Sequence, residues 1–261
     1  MTTLPRRWAA VAAGSVLLLA GCGDDDNTAT SDSTTTTEPA AEPVIDPGDG
    51  GTYAPELDPA DFVDVVDNPY LPLIPGTTWV YEGEDDGEAE RVEVEVLDKT
   101  RQIQGITATV VRDTVYVDGE LAEDTYDWYA QDTDGNVWYL GEDSHEYEDG
   151  EAVNAEGSWE YGKDGALPGI VMLAHPEVGD AYRQEYYPGH AEDLAEVLRT
   201  DETKAIGIGD YADVVVTQDW NPLEPDVVEQ KSYARGVGLI LEEKVEGGDG
   251  TIELIERIPA G

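Results

Sequence analysis

The sequence predicts a mainly β fold, a curved antiparallel meander sheet or open half-barrel with at most one or two short helices. Three observations carry this. Short segments rich in Val, Tyr, Trp and Thr alternate apolar with polar residues along most of residues 61–261. Asp-Gly dipeptides, a strong signal for two-residue hairpins, separate several of them, at Asp86-Gly87, Asp118-Gly119 and Asp134-Gly135. Nothing alternates strand with helix, which sets aside the parallel α/β classes.

The N-terminus gives an address. Arg6 and Arg7 precede an apolar run from Trp8 to Ala20, which closes on Leu19-Ala20-Gly21-Cys22. A basic start, a short apolar core and small residues before a cut make a secretory signal. The run, roughly 13 residues, is shorter than the roughly 20 needed to cross a bilayer. Leu-Ala-Gly-Cys resembles the lipobox of bacterial-type lipoproteins. The resemblance implies a signal peptide over 1–21, lipidation of Cys22, and a protein held by its lipid on the outer face of the cell membrane or in the cell envelope. An ordinary cleaved signal is the alternative, and the export route stays open. Cys22 is the single cysteine, so the chain forms no internal disulfide and no thiol catalyst.

Net charge is −45, and loss of Arg6 and Arg7 with the signal leaves 12 basic against 59 acidic residues. Such a surface repels nucleic acid and anionic headgroups, which excludes both as partners. A diffuse acidic coat keeps an exported domain soluble and suits a high-salt habitat. Salt is then expected to stabilise the fold by screening self-repulsion.

Residues 22–60 hold the lipidated Cys and then an acidic stretch rich in Thr and Pro, with almost no large apolar side chains. It cannot bury enough surface to offset its ordering entropy and reads as a disordered tether spanning roughly 30 Å. A single antiparallel β domain is expected over 61–261. Its lead-in, Asn68 to Gly76, contains three prolines and is extended. Closing Asp86-Gly87 as a two-residue turn pairs Trp79 with Val94, Tyr81 with Val92, Val80 with Glu93 and Glu82 with Arg91. That register sorts apolar and charged pairs to opposite faces, which a one-residue slip would destroy.

Applying the same rule at Asp118-Gly119 and Asp134-Gly135 pairs Val115 with Ala122, Val111 with Tyr126, Thr109 with Trp128 and Ala130 with Tyr139. Asp113 then meets Asp124 inside an otherwise apolar face. Beyond this meander, Ala191 to Leu198 suits a short helix, with a strand from Leu194 as the alternative. Segments 214–220, 227–233, 238–245 and 251–258 complete the antiparallel series.

A wider resemblance rests on three features in order: Asn68-Pro-Tyr-Leu-Pro-Leu-Ile-Pro-Gly-Thr-Thr-Trp-Val-Tyr81, the Trp-Tyr hairpin, and Tyr233-Ala-Arg-Gly-Val-Gly-Leu239. Together they resemble poorly characterised exported bacterial lipoproteins of the TapB-like kind. The resemblance implies a curved antiparallel sheet, an open half-barrel like that of the LolA/LppX carriers with room for an apolar ligand, while the strand pattern alone also suits a β-sandwich. It implies no activity, because its motifs are strand and turn patterns.

Candidate chemistry is sparse. Asp132, Asp134, Asn136 and Asp143 fall at positions 1, 3, 5 and 12 of an EF-type loop, so Ca²⁺ is the one cofactor to weigh. Gly135 stands at position 4, where that loop needs glycine at 6, and turn chemistry accounts for the same residues. Asp113 and Asp124 are the carboxylate pair to consider for glycan hydrolysis, although 59 acidic residues make chance pairs common. His145, His175 and His190 match no zinc pattern, and no serine-nucleophile elbow or phosphate loop is present. Tyr129, Trp138, Leu140 and Tyr116 are expected to form an apolar outer face, either a second core layer or a platform for a small-molecule or glycan ligand. The leading expectation is a non-enzymatic envelope protein that binds a ligand or partner. The alternatives are a glycan-directed hydrolase and a Ca²⁺-stabilised module.

Overall fold

The computed structural model describes residues 45–48, 50–155 and 157–261. The signal peptide, Cys22 and the first part of the expected tether lie outside these. The described residues belong to a compact unit, Pro43–Gly261.

Among the described residues the chain makes fifteen strands and one 3₁₀ turn, Pro59–Asp61. The first half comprises β1 (Phe62–Val63), β2 (Thr78–Asp85), β3 (Glu88–Ile103), β4 (Ile106–Val117), β5 (Glu120–Asp132), β6 (Val137–Glu148) and β7 (Glu151–Asn154). Three short strands follow, β8 (Trp159–Glu160), β9 (Gly169–Met172) and β10 (Ala181–Arg183). The second half is β11 (Leu194–Ile206), β12 (Gly209–Trp220), β13 (Val228–Ala234), β14 (Gly238–Glu246) and β15 (Gly250–Ile258).

These form one open antiparallel sheet, not a sandwich. Its order is β10-β11-β12-β13-β14-β15-β2-β3-β4-β5-β6-β7, with β1, β8 and β9 attached at β5 and β6. Every neighbour on the path is also a sequence neighbour except β15 and β2, whose pairing joins the two meanders. At the other side a single bridge, Leu167 to Tyr186, links the chain before β9 to the chain after β10. Gly169 lies so close to that chain that a Cβ would sit 2.0 Å from the Gln184 carbonyl oxygen.

Turn chemistry explains the meander. Asp86-Gly87, Asp118-Gly119 and Asp149-Gly150 all take positive φ at both residues, the type I′ geometry that matches strand twist. Gln104-Gly105 does the same between β3 and β4. The β2–β3 register is as predicted: Trp79 opposes Val94, Tyr81 opposes Val92, Val80 opposes Glu93 and Glu82 opposes Arg91.

The next two registers differ from expectation, because each contains a bulge. In β4–β5 the turn pairs Tyr116 with Leu121 as a two-residue loop requires, but Val115 then opposes Glu123, skipping Ala122. In β5–β6 Tyr129 opposes Tyr139 while Asp127 opposes Glu142, which leaves an extra residue at Leu140-Gly141. Each bulge shifts pairing by one position and changes which side chains stand opposite one another. The inner face of β5 therefore carries Asp127 and Tyr129, not Tyr126 and Trp128.

Two further expectations are corrected. Residues 194–206 form β11 rather than a helix from Ala191: Leu194, Ala195 and Val197 gain full burial in the sheet, more than a short helix of weak capping supplies. Residues 46–48 and 50–60 are also not a free tether. The Asp46 amide donates to the Ala181 carbonyl at 2.9 Å on the edge of β10, and Asp46 accepts from Arg183 Nε at 2.6 Å. Tyr53 is buried and donates its hydroxyl to the Pro168 carbonyl at 2.7 Å. Paired edge groups and one buried ring hold a segment whose composition alone gives no reason to fold.

Candidate functional site

Strands from both meanders curl around a cavity of about 580 Å³. The β2–β3 pairs Trp79, Tyr81, Val92 and Val94 floor it, and Leu71 and Leu73 of the lead-in wall one side. The lead-in is held by Asn68, which is buried. Its Nδ2 donates to the carbonyls of Gly135 (2.9 Å) and Leu173 (3.1 Å), and its Oδ1 accepts from the Tyr70 amide at 2.8 Å. Gln131 on β5 in turn accepts the Asn68 amide at 2.8 Å.

Against this apolar floor stand carboxyl groups in two sets. The first surrounds Lys231 on β13, whose Nζ lies 3.6 Å from Asp219, 3.7 Å from Glu242 and 3.9 Å from Glu229. Asp219 also accepts from Thr217 Oγ1 (2.5 Å) and Gln184 Nε2 (3.1 Å). Burial raises the Glu242 carboxyl to about 7, with Lys231 opposing the shift. Burial would lower the lysine, but the surrounding acids outweigh it and hold its ammonium charged well above the usual range.

The second set has no such partner. Tyr129 and Tyr139 stack at 4.7 Å between centroids, 20° apart in plane. The Tyr139 hydroxyl lies 2.5 Å from Asp127 Oδ1 and 3.0 Å from Glu142 Oε2. A phenol has one proton to donate, so when both contacts are hydrogen bonds one carboxyl carries a proton and donates to the phenol oxygen. Burial, opposed by the Tyr139 hydrogen bond, puts Asp127 at about 7. Burial and then Asp127 raise Glu142, while burial, Glu142 and Asp193 raise Glu185. Asp113 lies between the two sets and is pushed well above the carboxylate range by burial and then by Asp127 and Glu123. Its Oδ1 is buried without a hydrogen-bond partner. Trp159, 4% exposed, packs edge-on against Tyr139 at 5.3 Å, and its indole lies beside Glu185, where hydrogen bonding opposes the upward shift of that carboxyl.

The residues singled out from sequence do not meet as expected. Asp113 and Asp124 are separated: Asp113 lines the cavity, while Asp124 opposes Thr114 and binds Arg112 on the other face. Its two oxygens accept from Arg112 Nε at 2.7 Å and a terminal nitrogen at 2.9 Å. The bulge at Ala122 accounts for the separation. The aromatic quartet divides too. Tyr129 faces the cavity, whereas Trp138 and Leu140 are buried on the opposite side as core, and Tyr116 is half-buried there near Arg112. Trp138 opposes Ala130, not Gln131.

At the proposed calcium loop, Asp132 is occupied by the chain itself. It accepts from the Asn136 amide (2.8 Å), Asn136 Nδ2 (2.9 Å) and Trp138 Nε1 (2.8 Å). Asn136 Oδ1 accepts from the Ala174 amide at 2.9 Å. Asp143 is exposed on β6 opposite Tyr126, with His145 3.7 Å away, and Asp134 is exposed at the turn. Among the described residues no three His, Cys, Asp or Glu converge as a metal site would.

Asp127, Glu142, Glu185 and Lys231 escaped the sequence reading. Lys231 had a legible signal, since Glu229, Lys231 and Tyr233 alternate on one face of β13. Asp127 and Glu142 had none until the two bulges were known.

No protein-family model matches the chain, and no curated protein matches it. Among solved structures, a candidate lipoprotein from Parabacteroides distasonis superposes with a TM-score of 0.40 at 13% identity, over 73% of this chain and 99% of its own. The comparisons name neither the TapB-like nor the LolA/LppX-type proteins.

Proposed function

We propose that the chain is a lipid-anchored cell-envelope protein whose β domain is a non-enzymatic binder, taking its ligand into the cavity between the two meanders. The cavity carries this reading: about 580 Å³ falls within the size range of small-molecule sites, and apolar walls carry a few converging polar groups. The anchor rests on Leu19-Ala20-Gly21-Cys22. Replacing Cys22 by Ser should move the protein from the membrane to the soluble fraction, and continued membrane retention would remove the anchor from the proposal.

The neutral dye N-phenyl-1-naphthylamine, which brightens in apolar surroundings, tests the cavity. Fluorescence should rise on mixing and fall to background in Val94→Phe, which fills the floor, while Val178→Phe on the exposed surface behaves as the parent. Equal signals from all three would sink the reading.

One observation favours a second reading. Asp127 and Glu142 share the Tyr139 hydroxyl, and a carboxyl with a raised pKa is what a glycosidase uses as its acid. Turnover of aryl glycosides that disappears in Asp127→Asn would favour hydrolysis over binding.

A further inference from the structure

The second carboxyl set defines what the cavity would accept. Asp113 of β4 and Glu185, in the chain after β10, line the cavity, and Asp127 of β5 and Glu142 of β6 stand behind Tyr139, whose hydroxyl they share. The charged neighbours that most influence them are all acidic: Glu123, Asp193, Glu90, Glu242 and one another. Lys231 is committed to Asp219, Glu229 and Glu242 at 3.6–3.9 Å, beside the other set. Among the described residues the molecule therefore builds an anionic end and places no cation among its strongest influences.

Two independent features point to a missing partner. Asp113 Oδ1 is buried and receives no hydrogen bond. The Tyr129–Tyr139 stack and the ring of Tyr81 line the same space, and aromatic faces attract cations through their quadrupole, as Arg257 already does over Trp79 at 5.5 Å. A bare metal ion would leave this aromatic and aliphatic lining without a role, and no described carboxyls converge as metal ligands. An anion meets repulsion from both sets. A neutral polyol meets carboxyls but gains nothing from their charge.

We infer that the cavity selects an organic cation, an ammonium-bearing molecule with an apolar or aromatic body, its charge lodged beside Asp113 and Glu185, with the Asp127–Glu142 pair behind Tyr139 adding to the negative potential, and its body against Tyr129 and Val94. This rests on the cavity-binding reading above and specifies its ligand class. Binding converts carboxyls that share protons into carboxylates that face a cation. The protons pass to solvent.

The test compares 1-naphthylmethylamine with 1-naphthalenemethanol, which share an aromatic body and differ in ammonium against hydroxyl. Calorimetric titration of the full chain at pH 7.5 and low salt should show the amine binding at least about tenfold tighter, as expected for loss of a close charge contact. The preference should shrink in Asp127→Asn/Glu142→Gln, and equally in Asp113→Asn should the double variant fail to fold. Asp124→Asn, on the outer face, should leave it unchanged. Equal or tighter binding of the alcohol, or entry of the neutral dye with neither naphthyl compound binding, overturns the cation inference and leaves the cavity reading intact. A cavity that admits neither the dye nor either compound overturns both.

Discussion

Asp113 and Asp124 occupy neighbouring strands, yet their surroundings are opposite. Asp124 meets a two-pronged guanidinium on a half-open face, an arrangement in which both oxygens are satisfied and solvent screens the charge. Asp113 has a buried oxygen with no donor and only acids as its strongest charged neighbours. Folding at neutral pH must therefore either protonate Asp113 or bury its charge, while the unfolded chain leaves it ionised in water. Asp113→Asn removes that cost and should stabilise the protein at pH 8 by roughly 1–3 kcal/mol, with the gain shrinking as pH falls and vanishing at about pH 3, where the unfolded carboxyl is protonated as well. Asp124→Asn should instead cost up to about 1 kcal/mol, as a partly exposed ion pair does. Urea unfolding at both pH values measures each. A destabilised Asp113→Asn at pH 8 would show that the carboxyl has a partner in solution.

At the scale of the element, β5 and β6 show what the sequence could and could not reveal. Strand existence and most turns were readable, because period-two alternation and Asp-Gly are local signals. The β2–β3 register was readable for the same reason, since no bulge intervenes. The β4–β5–β6 register was not. A bulge is chosen by which face the rest of the sheet buries, and Leu140 and Trp138 turn outward into core supplied by segments remote in sequence. Gly141 is the residue that permits it. Its φ is +127°, and a Cβ there would lie 2.3 Å from the Trp159 carbonyl oxygen and 2.7 Å from Glu160 Cα. Gly141→Ala therefore combines a backbone conformation closed to L side chains with a clash against β8. It should cost at least about 2 kcal/mol in thermal or urea unfolding. It should also loosen the cavity, because the same bulge puts Tyr139 and Glu142 on one side. An unfolding midpoint within error of the parent would mean that β8 is free to move away.

For the whole molecule, the cavity couples folding to pH with a definite sign. Burial raises Asp127 from 3.8 to about 7 and Asp193 from 3.8 to about 6, Lys231 opposing the latter. Glu242 rises from 4.5 to about 7 for the same first reason. Between roughly pH 4 and 7 the folded state thus holds protons that the unfolded chain has released. Stability must fall as pH climbs through that window. Asp113, Glu142 and Glu185 are shifted in the same direction and extend the decline. Glu160 opposes it: despite burial, Lys163 and Arg101 hold its carboxyl down, but it is one group on the surface side of β8. The chain's charge of −45 adds self-repulsion of the same sign, which salt screens. Scanning calorimetry at low salt should give a melting temperature that is highest at about pH 4 and falls towards pH 8, by an amount on the order of 1 kcal/mol of stability per pH unit. Added salt should recover part of the loss at pH 8 and little at pH 5. An organic cation that enters the cavity should recover more, and more steeply with pH, because it binds the ionised carboxyls that destabilise the empty protein. A melting temperature that rises from pH 5 to pH 8 would mean that these carboxyls are ionised and paired in the native state, and the unpartnered acidic end would lose its physical basis.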